Sequence, residues 1–118
     1  MILRRSVLSF LLLVIAGSFS FAVEIGKIRI PADATFGGRA VQAGLYTLEL
    51  DETAEKPYLR LIRNEKMIAA DVAIVLPARG PGKTSVSITK AGRKELIRIR
   101  ARHGEQWYFA YLETGRKM

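Results

Sequence analysis

The sequence contains no cysteine and only one histidine. The absence of cysteine excludes disulfide bonds, a thiol nucleophile, cysteine metal sites and a lipidated N-terminal cysteine. The one histidine, His103, has no Asp, Glu or Cys in ligand spacing, so we expect neither a metal site nor a cofactor. Without cross-links, a domain of this size must be held together by its apolar core alone.

The first 22 residues have the layout of a secretory signal peptide. Arg4 and Arg5 form a positive n-region, residues 7–16 form an apolar h-region, and Ser20-Phe21-Ala22 places small residues where signal peptidase reads. The alternatives are a membrane anchor and a first buried helix. The pattern favours cleavage near Ala22 and a periplasmic or extracellular location, with membrane contact only through the leader before cleavage.

The chain is basic, with 19 Lys+Arg against 11 Asp+Glu and a formal net charge of +8. Loss of Arg4 and Arg5 with the leader lowers the net charge to +6. Such a surface attracts anionic partners. Because export makes nucleic acid and nucleotides improbable ligands, the expected partner is an anionic envelope component or an acidic protein.

The mature chain is patterned for strands. Apolar and polar residues alternate with the period of a half-buried strand in residues 25–30, 45–50, 58–63, 66–76, 85–89 and 95–102, and a short strand at 39–42 and an aromatic-rich strand at 106–112 complete the set. Short strands at this spacing without an amphipathic helix predict an all-β antiparallel sandwich of seven or eight strands, prealbumin- or immunoglobulin-like, with a small barrel as the alternative. We expect a single domain over residues 23–113 and a flexible tail over 114–118.

Three predictions concern local structure. Gly37-Gly38 is a turn signal because glycine accepts positive φ without steric cost. Asn64-Glu65 fits a two-residue hairpin turn, although it lacks glycine. Residues 66–76, KMIAADVAIVL, are ambiguous: the alternation and β-branched end favour a strand, while the alanines would also tolerate a helix.

The sequence contains no complete motif for nucleotide binding or for a serine nucleophile. GPGKTS at 80–85 ends like a phosphate-binding loop, but position 77 is proline rather than glycine and a strand follows instead of a helix, so a flexible hairpin loop is expected. Neither Ser85 nor Ser87 lies in a nucleophile elbow. Asp71 falls among apolar residues, where it either faces solvent or pairs with an arginine. No catalytic residue is assigned.

The strongest chemical feature is a row of arginines. Arg98, Arg100 and Arg102 alternate along one predicted strand and should project side by side about 7 Å apart. Lys90, Arg93 and Lys94 in the preceding turn would extend the same face. Arginine binds phosphate, sulfate or carboxylate groups bidentately. The plainer interpretation is a solvated sheet face or a charged edge that blocks edge pairing.

The last strand is rich in aromatic residues. Trp107, Phe109 and Tyr111 share one face, and Tyr108 lies on the other. Their size predicts that the three point into the core and that Tyr108 points outward. A carbohydrate-stacking platform is the alternative.

One stretch resembles a known group. The pattern G-x-x-hydrophobic-x-A-G-x-Y-x-L is formed by Gly38, Val41, Ala43, Gly44, Tyr46 and Leu48. It is similar to a pattern in small exported bacterial β-domains of unknown function and in prealbumin-like sandwich domains, such as the regulatory domains of carboxypeptidases. The resemblance implies a sandwich in which the tyrosine packs inward with its hydroxyl near the sheet edge, and it implies no catalytic residue. Gln42 stands where proline is common in the pattern.

These observations predict a non-enzymatic exported module, for envelope interaction or structure, that binds an anionic partner through its basic strand face. The alternatives are a carrier of a small apolar ligand inside a barrel, and a hydrolase that uses carboxylates brought together by the fold.

Overall fold

The computed structural model describes residues 22–53 and 55–117, with only the backbone of Lys117. This part of the chain forms ten strands: β1 (Ala22–Ile30), β2 (Ala34–Phe36), β3 (Arg39–Val41), β4 (Gly44–Asp51), β5 (Tyr58–Arg63), β6 (Lys66–Val72), β7 (Ile74–Pro77), β8 (Ser85–Ala91), β9 (Lys94–His103) and β10 (Gln106–Lys117). The expected seven or eight strands become ten because residues 34–36 form a separate strand and residues 66–77 are divided in two.

The strands form two antiparallel sheets. The small sheet has the order β1-β4-β5-β6, and the large sheet has the order β3-β2-β10-β9-β8, with β7 also pairing β10. The sheets do not close into a barrel, so the predicted all-β sandwich is confirmed over its barrel alternative. The core lies between the sheets, where the buried side chains of β4 and β5 meet those of β9 and β10.

The glycine pair forms a tight turn that also links the two sheets. Gly37 and Gly38 have φ of 58° and 82°, and Phe36 pairs with Arg39 on either side of them. Positive φ at both central residues is the conformation of a type I′ hairpin turn, as the sequence predicted. A methyl group at Gly37 would overlap the carbonyl oxygen of Ala70 on β6. The large sheet therefore contacts the small sheet through backbone at this position.

β4 is a central strand of the small sheet and follows its predicted alternation. Tyr46, Leu48 and Leu50 are buried, whereas the intervening side chains point away from the core. The Tyr46 hydroxyl donates a hydrogen bond to the carbonyl oxygen of Gln42, 2.7 Å away. The Asn64-Glu65 turn is also confirmed, because both residues have positive φ between the paired Arg63 and Lys66.

Residues 66–77 are extended rather than helical, but they do not form one strand. β6 pairs with β5 in the small sheet, and β7 pairs with β10 in the large sheet. Ala73 is buried between them and donates its N–H to the carbonyl oxygen of Pro57. Asp71 is half-buried and accepts a hydrogen bond from the N–H of Val72. The chain thus turns a corner between the two sheets here, so Ile74 and Leu76 lie in the large sheet rather than in one continuous strand with residues 66–72.

The aromatic assignment on β10 was wrong. Tyr108, Ala110 and Leu112 are buried, whereas Tyr111 is 38% exposed and Trp107 and Phe109 are half-buried on the outer side. Strand alternation allows only one of the two sets to face the core. The core accepts Tyr108 because its hydroxyl lies within hydrogen-bond distance of Gln106 Oε1 and Glu52 Oε2, at 2.8 and 3.1 Å.

The first and last strands are longer than the predicted ranges 25–30 and 106–112. β1 begins at Ala22, and the rest of the predicted leader lies outside the described residues. Residues 114–117, which were expected in a flexible tail, continue β10, and Lys117 pairs with Lys94 after a bulge. Over residues 22–53 and 55–117, no helix is long and apolar enough to cross a membrane.

Candidate anion-binding face

The outer surface of the large sheet brings together residues from three strands. The antiparallel register places Arg98, Arg100 and Arg102 of β9, the arginine row, directly opposite Tyr111, Phe109 and Trp107 of β10, the aromatic row. On the far side of β10, Ile74 and Leu76 of β7, the aliphatic pair, lie opposite Phe109 and Trp107. Directly opposed residues share one side of a sheet, so the three sets form a continuous surface.

Trp107 is the anchor of this surface. The guanidinium carbons of Arg100 and Arg102 lie 4.4 and 5.2 Å from the centre of its ring, which is cation–π geometry. A Cβ added to Gly82 would lie 2.6 Å from Cη2 of Trp107, so the glycine-rich loop rests on the ring. The predicted hairpin loop is therefore a crossover that connects β7 and β8 past the end of the β9–β10 hairpin and covers Trp107.

Arg102 is held by the protein itself. Its side chain donates hydrogen bonds to the carbonyl oxygens of Gly80 and Gly104, at 2.8 and 3.0 Å, and its backbone N–H donates to Thr84 Oγ1 at 3.0 Å. These bonds occupy two sides of the guanidinium group. Arg102 therefore fixes the loop, while the rest of the row remains to contact a ligand.

Arg98 and Arg100 have no such partners. Both are half-buried, and their Nε atoms are buried with no hydrogen-bond acceptor. No ion pair joins any member of the arginine row to a carboxylate in the part of the chain that the structure describes. Guanidinium groups without a carboxylate partner, of which that of Arg100 stacks on Trp107, are suited to a planar or tetrahedral oxyanion.

The three flanking basic residues are divided by strand alternation. Lys94 lies on the same side as the arginine row, but its Nζ pairs with Glu113 Oε1 at 3.4 Å. Lys90 opposes Glu95 across β8 and β9 and so lies on the opposite side of the sheet. Arg93 is exposed in the turn between these strands. The predicted extension of the face by all three is therefore not seen: Lys90 points away, and Lys94 forms an exposed ion pair with Glu113.

Two other polar residues, Asp51 and Tyr108, form hydrogen bonds with the loop that follows β4. The side-chain hydroxyl and then the backbone N–H of Thr53 bind the Asp51 carboxylate and hold the pKa of Asp51 below its usual value; Arg60 adds to this, and burial opposes it. On β10, burial raises the pKa of the Tyr108 hydroxyl, and Glu52 adds to this effect. Both groups join the loop after β4 to the body of the sandwich.

Among the described residues, carboxylates line two pockets: Glu95 and Glu113 line a small one beside Lys94 and Arg116, and a second lies on the other side of the molecule. Glu24 and Glu49 are directly opposed on β1 and β4, and with Glu65 they line an open groove. Glu24 and Glu65 are exposed, as surface carboxylates usually are. Among the described residues, no group of three or more His, Asp or Glu side chains could hold a metal ion. His103 ends β9, opposite Gln106.

The sequence predicted the arginine row but missed its aromatic and aliphatic neighbours. Both sets of alternate residues on β10 are apolar enough to face a core, so the sequence contained no signal that places Tyr108, Ala110 and Leu112 inward. Comparison of the chain with models of protein families, with curated proteins and with solved structures finds no match. The function must therefore be inferred from the arginine, aromatic and aliphatic residues of this one surface.

Proposed function

We propose that this protein is an exported, non-enzymatic β-domain that binds an anionic partner through the arginine row. Arg98 and Arg100 contact the partner's oxyanions, while Arg102 and Trp107 hold the surface in place. The domain serves as an interaction or structural module of the cell envelope. The proposed location rests on the signal-peptide pattern of residues 1–22.

The main support for this proposal is that the arginine row is contiguous and has no carboxylate partner among the described residues. A merely solvated face would be expected to mix signs, as the small sheet does where Arg60 pairs with Asp51. The guanidinium group of Arg100 already stacks on Trp107, so it loses little further freedom when a ligand binds. Such a surface is therefore prepared for an anion before the anion arrives.

The test is a pair of charge reversals. Arg98→Glu with Arg100→Glu should abolish binding to polyanions, anionic vesicles and envelope extract. Lys27→Glu with Arg29→Glu is the matched control, because these two exposed residues also alternate on one strand and their reversal changes the net charge equally. Binding can be followed by the emission of Trp107, the single tryptophan. If the first pair binds as well as the wild type, the proposal is wrong.

No observation favours the alternative functions over this one. A carrier of the kind considered needs a barrel cavity, and the two sheets do not close into a barrel. A carboxylate-based hydrolase could use the groove at Glu24 and Glu49, where Glu24 is exposed to solvent, or the pocket at Glu95 and Glu113, where both acids pair with basic residues.

A further inference from the structure

The polarity of the outer face of the large sheet changes steadily from one side to the other. It passes from the aliphatic pair on β7 to the aromatic row on β10, then to the arginine row on β9 and to Ser85 and Ser87 on β8. Neighbouring strands are about 4.8 Å apart, so the change extends over about 14 Å. Apolar, aromatic, cationic and neutral polar groups thus follow one another in a fixed order.

The aliphatic pair is the part of this surface that binding of simple anions leaves unexplained. Ile74 and Leu76 are 56% and 50% exposed. They lie beyond the aromatic row from the arginines, where a hydrophilic polyanion bound to Arg98 and Arg100 gains nothing by covering them. Exposed apolar side chains beside aromatic rings instead indicate a partner that has an apolar phase next to its charges.

We propose that the anionic partner is the surface of an anionic membrane, an inference that rests on the proposed function. Arg98 and Arg100 bind lipid phosphates, Phe109 and Tyr111 lie at headgroup level, and the aliphatic pair enters the acyl boundary. Aromatic rings concentrate at that depth in membrane proteins. Basic side chains near the surface add attraction to anionic lipid, and buried apolar area adds to the binding of monotopic proteins. The order of groups on the sheet is the order of phases at a bilayer surface.

The charge and geometry of the face agree with this partner. The mature chain carries a net charge of +6, and Glu113, the acid on the same side of β10, is already paired with Lys94. The Nε atoms of Arg98 and Arg100 are buried, so phosphate oxygens would be bound by the terminal nitrogens of these guanidinium groups, which pair with no carboxylate among the described residues. A lipid phosphate can reach them while its acyl chain lies over β7, two strands away.

The experiment uses the chain beginning at Ala22, because all ten strands lie in this part and the apolar residues 7–16 would bind any vesicle. Binding is measured by flotation and by Trp107 emission with phosphatidylglycerol vesicles, phosphatidylcholine vesicles and soluble polyglutamate. Two variants are compared with the wild type: Arg98→Glu with Arg100→Glu, and Ile74→Thr with Leu76→Thr. Threonine is polar but β-branched, so it suits exposed strand positions.

The wild type should bind phosphatidylglycerol vesicles and not phosphatidylcholine vesicles. The arginine variant should lose at least about 30-fold in vesicle partitioning, since each basic residue near an anionic surface contributes about fivefold, and should also lose polyglutamate. The aliphatic variant should lose about tenfold with vesicles and keep its polyglutamate binding. Leu45→Thr with Met67→Thr, at 54% and 48% exposed positions on the small sheet, is the matched control and should bind vesicles like the wild type.

The outcomes separate the two proposals. If the aliphatic variant binds vesicles as the wild type does, or if the wild type binds polyglutamate but no vesicle, the membrane inference is overturned and the proposed function stands. If the arginine variant binds both vesicles and polyglutamate normally, the proposed function is overturned and the membrane inference with it. Circular dichroism and thermal unfolding verify that each variant is folded.

Discussion

Replacing Gly37 by alanine tests how the two sheets of the sandwich are held together. Gly37 and Gly38 both have positive φ in the same turn, so alanine at either position incurs the left-handed penalty of roughly 1–2 kcal/mol. At Gly38 the new methyl group meets nothing within 4 Å, whereas at Gly37 it overlaps the carbonyl oxygen of Ala70. Gly38→Ala is therefore a control that has the same backbone strain without the clash.

The clash adds to the strain because the overlapped atom is backbone and cannot rotate away. Forcing a methyl group into occupied space typically costs about 1–3 kcal/mol. We expect Gly38→Ala to lower the free energy of unfolding by about 1 kcal/mol and Gly37→Ala by about 3 kcal/mol. Urea unfolding with an unchanged slope would measure both values. Equal losses for the two variants would refute the close approach of the β2–β3 turn to β6.

Two further predictions concern the turn after β5 and the end of β4. Glu65 has a φ of 63° after Asn64, so Glu65→Gly should raise the free energy of unfolding by about 0.5–1 kcal/mol, measured by urea unfolding; a lower stability would contradict the turn. Asp51→Asn should cost about 1–2 kcal/mol at neutral pH. Because Thr53 lowers the pKa of Asp51 in the folded state, this difference should shrink as pH falls below about 4, and a difference independent of pH would contradict the assignment.

Features that depend on one strand or one turn could be predicted from the sequence. The alternation of β4 and β9 fixed which side chains face the core, and glycine at positions 37 and 38 identified a turn whose φ values the structure confirms. The arginine row is of the same kind, since alternate residues of one strand always share a side. Such features need no knowledge of which strands pair.

Features that depend on pairing could not be predicted. Both sets on β10 are rich enough in apolar atoms to face a core, and only the neighbouring strands decide in favour of Tyr108. The corner at Ala73 sends β6 and β7 into different sheets, although the sequence continues its alternation through it. The contact of Gly82 with Trp107 joins residues that are far apart in the chain. Of the three sets of residues on the proposed binding surface, the sequence therefore predicted only the arginine row.

The most direct test of the central claim compares two charge-reversed pairs in one titration. Arg98→Glu with Arg100→Glu, and Lys27→Glu with Arg29→Glu, are titrated with phosphatidylglycerol vesicles and with polyglutamate at low and moderate salt. We expect the first variant to lose binding to both ligands. The second should retain most of its binding, which should weaken as salt rises, as that of the wild type does. Equal loss in the two pairs would show that net charge alone drives binding, and that would contradict a site on the large sheet.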